Sequence, residues 1–244
     1  MQLLIDNSNT RTKFALADGD TLAEWRTIIP TAELSPESIS KALDGIAFTH
    51  ATICSVVPDA SELLAASLGE IPLHRISHQS DLPIAINYPN PAQIGADRLA
   101  NSVAAADQHG SPAIVIDFGT AVTFDVIDKS GAYCGGAIAP GTASLRDYLH
   151  RRTALLPSIQ LEEPTSAIGK STEDAMQIGA VIGYRGLIRE ILEEMRQELG
   201  GEPSIIATGG DSPLISSGLK EIRILSPDLT LHGIRLIGQR NHDF

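Results

Sequence analysis

Asp6 and Asp117 stand 111 residues apart, and each ends a short apolar run, Leu3-Leu4-Ile5-Asp6 and Ala113-Ile114-Val115-Ile116-Asp117. Each run leads into a turn of small residues, Asn7-Ser8-Asn9-Thr10 in the first copy and Phe118-Gly119-Thr120 in the second. Backbone N–H groups in such turns converge on an anion, while the aspartate can hold the cation that neutralises it. A single turn of this kind reads equally well as an Asx turn capping a hairpin. Two copies at matching places point to a pair of hairpins that clamp the phosphates of a nucleotide from both sides. Neither a Walker A motif nor Gly-x-Gly-x-x-Gly is present, which excludes a P-loop and a Rossmann fingerprint.

Three further stretches carry candidate chemistry. Gly135-Gly136-Ala137-Ile138-Ala139-Pro140-Gly141 places three glycines where a strand leaves its sheet, allowing a ligand to approach the backbone closely. Thr208-Gly209-Gly210 follows an apolar strand, at the end of the sheet where α/β folds bind ligands, and a flat base could lie over it. Either stretch could still be a plain turn, although the nearness of the first to the Asp117 hairpin favours a ligand. Tyr88 to Arg98 runs through Gly95, a turn before a helix, and sets Asp97 and Arg98 in the first helical turn. There a carboxylate is favoured by the helix dipole; an aspartate that only stabilises its own helix, beside a surface arginine, is the competing reading. The seven histidines show no metal-ligand spacing.

The elements that must position these residues alternate between strand and helix, which predicts an α/β architecture. The first half reads as strands at Leu3–Asp6, Thr12–Ala17 and Leu22–Ile28, with the Asp18-Gly19-Asp20 hairpin signal between the last two. A helix follows at Ser35–Leu43, with Ser35 as N-cap and Pro36 at its first position. A strand at Ala51–Val57, a helix at Asp59–Leu68, a strand at Leu73–Ile76 and a helix at Ala96–Ala106 complete this half. The second half repeats the order with strands at Ala113–Asp117, Val122–Ile127 and Ala132–Ile138, then helices at Ser144–Arg152 and Ser171–Leu199. A strand at Ser204–Ala207, a helix beyond Asp211, a strand at Glu221–Leu225 and a helix from Asp228 end it. The expected boundary is the turn cluster His109-Gly110-Ser111-Pro112, giving domains 1–110 and 111–244 that face each other across a cleft.

Length and composition bound the function. The 244 residues suffice for one large or two small domains with a core that needs no disulfide or metal staple. Eighteen basic against 30 acidic residues give a net charge of −12, a field that repels nucleic acid and anionic membranes, so an anionic ligand needs a local site. Two cysteines make no disulfide framework, and no apolar stretch approaches the ~20 residues that span a bilayer. The start lacks the pattern of a signal peptide, so the expectation is a cytoplasmic protein without a nucleic-acid or membrane partner.

Taken together, these stretches resemble type III pantothenate kinase, a family of the actin, hexokinase and heat-shock ATPase superfamily. The resemblance is carried by Leu4 to Thr10, Tyr88 to Arg98, Asp117 to Asp125, Gly135-Gly136 to Pro140-Gly141, Thr153 to Pro157, Ile168 to Thr172, and Thr208-Gly209-Gly210. It implies two similar ribonuclease-H-like (actin-like ATPase) domains, and ATP-dependent phosphorylation of pantothenate in coenzyme A biosynthesis. It assigns ATP phosphate binding to Asp6, Asn7, Ser8, Asn9, Thr10, Arg11, Thr12 and Lys13, with Thr120 also contacting ATP. Tyr88, Gly95, Ala96, Asp97, Arg98 and Thr172 fall at pantothenate-binding positions, with Asp97 taking the hydroxyl proton. Asp117 would hold a monovalent cation, K⁺ or NH₄⁺, and Asp6 would help position Mg²⁺. The working unit would be a homodimer joined through the Ser171–Leu199 helix, where Gly179 and Gly183 share a face. Ser8 stands where the family usually has glycine; a positive φ there would cost serine about 1 kcal/mol. A kinase of the same superfamily acting on a sugar or other small alcohol, and a non-catalytic paralogue, are the alternatives.

Overall fold

The computed structural model describes residues 1–242, without the side chains of residues 145 and 146. Two compact units emerge, one formed by Met1–Gly110, Gly131–Cys134 and the residues from Asp228 onward, the other by Ser111–Ser130 and Gly135–Pro227.

The first unit is built on strands β1 (Gln2–Asn7), β2 (Arg11–Asp18), β3 (Thr21–Pro30), β4 (His50–Ser55) and β5 (Leu73–Arg75), in the order β3-β2-β1-β4-β5. β1, β2 and β3 form an antiparallel meander, while β4 and β5 add in parallel on the other side of β1. Alternation along β1 sorts its side chains onto two faces. Leu3 and Ile5 join Phe14, Leu16 and Ile53 beneath helices α1 (Pro36–Leu43) and α2 (Pro58–Leu68), with Ile39, Leu64 and Leu68 closing that core. Leu4 packs on the opposite face with Ala15, Ala17 and Cys54, against Ala100 and Val103 of α3 (Ala96–His109). Asp6 shares the parity of Leu4 and so belongs to the α3 face. The expected Ser35 cap is present: its hydroxyl accepts from the Ser38 amide, and Pro36 opens α1.

The second unit repeats this plan with β6 (Ala113–Phe118), β7 (Ala121–Ile127), β8 (Tyr133–Pro140, whose first two residues belong to the first unit), β9 (Ser204–Thr208) and β10 (Ile224–Leu225), in the order β10-β9-β6-β7-β8. β6 is antiparallel to β7 and parallel to β9, as β1 is to β2 and β4. Its helices are α4 (Thr142–Arg152), α5 (Thr172–Ile178), α6 (Tyr184–Leu199) and α7 (Ser212–Ser216). The last helix, α8 (Leu229–Asn241), belongs to the first unit. There Gly233 meets α3 so closely that a Cβ would overlap the Ala100 carbonyl, and Thr230 donates to Asn101 Oδ1 at 2.7 Å. Contact this tight fixes α3, and with it the residues of its first turn.

Two sequence expectations need correction. The helix expected over Ser171–Leu199 is divided into α5 and α6 by a π-helical turn, Gly179–Gly183, where two glycines weaken the helical preference. The strand expected over Glu221–Leu225 shrinks to β10. Leu219 and Ile222 bond back to Ser216 and Leu219 in tight turns, so only Ile224 and Leu225 pair with β9.

Candidate active site

In the first unit the β1–β2 hairpin, the Tyr88 segment and the start of α3 supply the candidate residues. The register sets Asp6 opposite Lys13, and Lys13 Nζ lies 3.2 Å from Asp6 Oδ2, with the Asp6 side chain only 9% exposed. Four residues, Ser8 to Arg11, connect the paired ends of β1 and β2. Asn9, Thr10 and Arg11 are exposed. Asn7 and Thr12 are buried and brace the turn: Asn7 Nδ2 donates to Thr12 Oγ1 at 2.7 Å, and Ser55 Oγ donates to Asn7 Oδ1 at 2.6 Å. Thr31 Oγ1 donates to the Ser8 carbonyl at 2.7 Å. Ser8 itself carries no strain, since no described residue other than glycine has a positive φ. Its hydroxyl closes the turn by donating to the Arg11 carbonyl at 3.0 Å.

Gly95 caps α3, Ala96 is buried beneath it, and Asp97 and Arg98 follow in the first turn. Asp97 Oδ1 accepts from the Arg98 amide at 2.8 Å. Burial raises the Asp97 carboxyl pKa above the ordinary carboxylate range, and the negative charge of Asp6 adds to the rise. The Arg98 amide and guanidinium oppose it. The Arg98 guanidinium carbon lies 5.8 Å from the ring centroid of Tyr133, and Tyr88 meets the same buried ring edge-on at 6.0 Å. Tyr133 was missed by sequence reasoning: it opens β8, and nothing local ties it to α3. A carboxylate with a raised pKa beside an arginine and two phenols suits an anionic substrate with a hydroxyl to deprotonate.

The second unit forms its own cradle. Asp117 holds the position in β6 that Asp6 holds in β1, but β7 sets Thr123 opposite it where β2 sets lysine. The hairpin is one residue shorter, with Gly119, Thr120 and Ala121 between the paired ends. Glycine is required at two places beside it. A Cβ on Gly209, whose φ is +89°, would lie 2.6 Å from Asp117 Oδ1 and 2.5 Å from the Phe118 carbonyl. A Cβ on Gly141 would lie 2.5 Å from the carbonyls of Gly119 and Thr120, and the Gly141 amide donates to Thr120 O at 3.2 Å. Thr120 is exposed at the tip. Two residues that no motif indicated complete the cradle: the buried Thr142 hydroxyl donates to Asp211 Oδ2. Thr172, also in this unit, is the exposed first residue of α5, after the Ser171 cap.

Among the described residues no group of three or more His, Cys, Asp or Glu side chains is assembled that could hold a metal ion unaided. Mg²⁺ brought by ATP needs no such cage, because it keeps phosphate and water oxygens and takes one or two carboxylates. Asp6, with Lys13 beside it, fits that demand.

A family model described as type III pantothenate kinase matches residues 2–194. A type III pantothenate kinase of Akkermansia muciniphila is 52% identical over 239 residues, covering 98% of both chains. One of Methylacidiphilum infernorum is 44% identical over 240 residues, covering 97% of this chain and 88% of the relative. A crystal structure of a ROK family glucokinase from Streptomyces griseus in complex with glucose and AMPPNP aligns with a TM-score of 0.56 at 12% identity. The alignment covers 96% of this chain and 97% of that one, and the likeness shows a shared fold of the actin-like ATPase type. With a family model over residues 2–194 and whole-length relatives of one kind, the chain belongs to the type III pantothenate kinase family.

Proposed function

We propose that Asp97 is the base in the reaction that membership of this family assigns to the chain. That reaction is ATP-dependent phosphorylation of pantothenate to 4'-phosphopantothenate, the first step of coenzyme A biosynthesis. The observation that carries the reading is the Asp97 carboxylate held over Gly95, its pKa raised by burial and by Asp6. Phosphoryl transfer asks a protein for positioning and charge neutralisation rather than a covalent nucleophile. Asp97 orients the pantothenate hydroxyl and accepts its proton, and Arg98 holds the anionic substrate with Tyr88 beside it. The β1–β2 turn, from Asp6 to Lys13, faces the phosphates with its backbone N–H groups, while Lys13 balances charge. ATP would bring the transferable phosphoryl group and its bound Mg²⁺ would screen the phosphate oxygens, with Asp6 the carboxylate that would hold the ion.

Asp117 is the proposed ligand of a monovalent cation. K⁺ and NH₄⁺ take oxygen ligands, and the Asp117 carboxylate and Phe118 carbonyl both crowd the space beside Gly209. Thr120 is the proposed ATP contact at the hairpin tip. A homodimer is proposed through the α5–α6 face, where Gly179, Ile182 and Gly183 are exposed and a Cβ on either glycine would meet nothing within 4 Å. Thr172 would complete the pantothenate site there. A cytoplasmic location fits the ATP supply and the two cysteines, Cys54 and Cys134, which form no disulfide. An ADP-release assay with pantothenate, run in sodium-only and in potassium buffer, tests the cation: activity restored by K⁺ is expected, and equal rates in both contradict it.

A further inference from the structure

We propose that Asp211 recognises the ribose of the bound nucleotide, accepting a hydrogen bond from a sugar hydroxyl, with Thr142 holding its carboxylate in place. The proposal rests on the second unit's cradle being a nucleotide site, and it deepens that reading. A carboxylate repels phosphate unless a cation lies between them, a part already given to Asp6 and Asp117, so Asp211 is left for the uncharged end of ATP. It suits the neutral part of the molecule, where the donors are the ribose hydroxyls and the adenine amino group.

Position selects the ribose. Asp211 directly follows Gly209-Gly210, a strip without side chains beside which a flat base can lie, and a Cβ on Gly210 would meet nothing within 4 Å. On its other side Asp211 is tied to the phosphate turn. Its amide approaches the Phe118 carbonyl at 3.5 Å, and its Oδ2 accepts from Thr142, whose neighbour Gly141 packs on Gly119 and Thr120. The part of a nucleotide that lies between base and phosphates is the sugar. Thr142 engages one carboxylate oxygen and leaves Oδ1 to accept. The nearby Tyr184 hydroxyl does not compete, because it donates to the Pro140 carbonyl at 3.1 Å. A single fixed acceptor on a sugar hydroxyl is a selectivity device, since an analogue without that hydroxyl leaves the charge unanswered.

Calorimetric titration with ADP, 2'-deoxyADP and 3'-deoxyADP, each with Mg²⁺, tests this without requiring turnover. The wild type should bind ADP about tenfold more tightly than at least one deoxy analogue, in line with a hydrogen bond to a charged group. In Asp211→Ala, ADP should bind as weakly as that analogue, and the analogue's own affinity should stay the same. Asp211→Asn keeps the shape and an acceptor without the charge, so its ratio should fall between the two, and it carries the test if the alanine variant does not fold. Thr142→Val should also lower the ratio. Equal binding of all three nucleotides by the wild type, or an unchanged ratio in the Asp211 variants, overturns the ribose assignment alone. A wild type that binds no nucleotide overturns the cradle reading together with it.

Discussion

Gly95 and Asp97 are fitted to one another: a Cβ on Gly95 would lie 2.5 Å from Asp97 Oδ1. The backbone at Gly95, with φ −60° and ψ 143°, is open to any residue, so space and not conformation demands the glycine. What a side chain there would displace is the end of the Asp97 carboxylate, which can swing away at little cost to the fold. Gly95→Ala should therefore leave the melting temperature within a few degrees of the wild type while lowering kcat by at least about tenfold, because a misplaced base loses much of its effect. Thermal melts and steady-state rates on one preparation check this; full activity would show that the contact does not set the base.

Asp97 carries a sign that separates stability from catalysis. Its carboxyl pKa is raised in the folded chain, first by burial and then by Asp6, so the folded state binds the proton more tightly than the unfolded one. Its contribution to stability is greatest below the ordinary carboxylate pKa and is lost as pH rises through the raised value. Asp97→Asn removes that loss, and at neutral pH it should unfold at the same or higher denaturant concentration than the wild type. For activity the base must be ionised, so kcat/KM should fall on the acid side with a midpoint above the ordinary aspartate value. Urea titrations and a pH–rate profile read the two effects.

The opposite sign operates at the C-terminal edge of the first unit. His242 lies 4.5 Å from His50 and 6.2 Å from His74, ring centre to ring centre, and its Nε2 is 3.1 Å from both the Thr52 hydroxyl and the Ala51 carbonyl. Burial lowers the pKa of all three imidazoles; for His50 and His74 the charge of His242 adds to it, and for His50 the amino terminus does as well. Their stabilising share is complete above the unfolded value of ~6.5 and is lost as pH falls from there through the lowered folded values. The chain should be less stable at pH 5.5 than at pH 7.5, and His242→Gln should flatten that difference. An unchanged pH dependence in the variant would place the effect elsewhere.

The exposed glycines of the π-helical turn test the dimer. Sedimentation at assay concentration should give twice the 25.9 kDa chain mass, and Gly183→Trp should return the single-chain mass and weaken pantothenate binding. A fully active wild-type monomer would contradict both the interface and the place given to Thr172.

Much of this fold could be read from the sequence because period-2 alternation and turn chemistry act locally. The apolar runs that end on Asp6 and Asp117 became β1 and β6 with the same offset, and the sheet orders match strand for strand. α3 begins at Ala96 with Gly95 as its cap, as the turn-then-helix pattern implied. What escaped depends on distant partners. Thr142 and Asp211 are 69 residues apart and meet only because Gly141 and Gly209 both press on the β6–β7 hairpin. Tyr133 reaches Arg98 through a chain excursion that no periodicity marks. The π-helical turn and the shortened β10 also lay beyond local pattern, since each turns on competition between nearly equal hydrogen-bonding schemes.

The most direct measurement is product identification by mass spectrometry after incubating the chain with ATP, Mg²⁺, K⁺ and pantothenate, for the wild type and Asp97→Asn in parallel. Phosphopantothenate should accumulate with the wild type, and the variant should form it about 10² to 10⁴ times more slowly while still binding pantothenate. Absence of the product with the folded wild type, or near-normal turnover by the variant, would contradict the account.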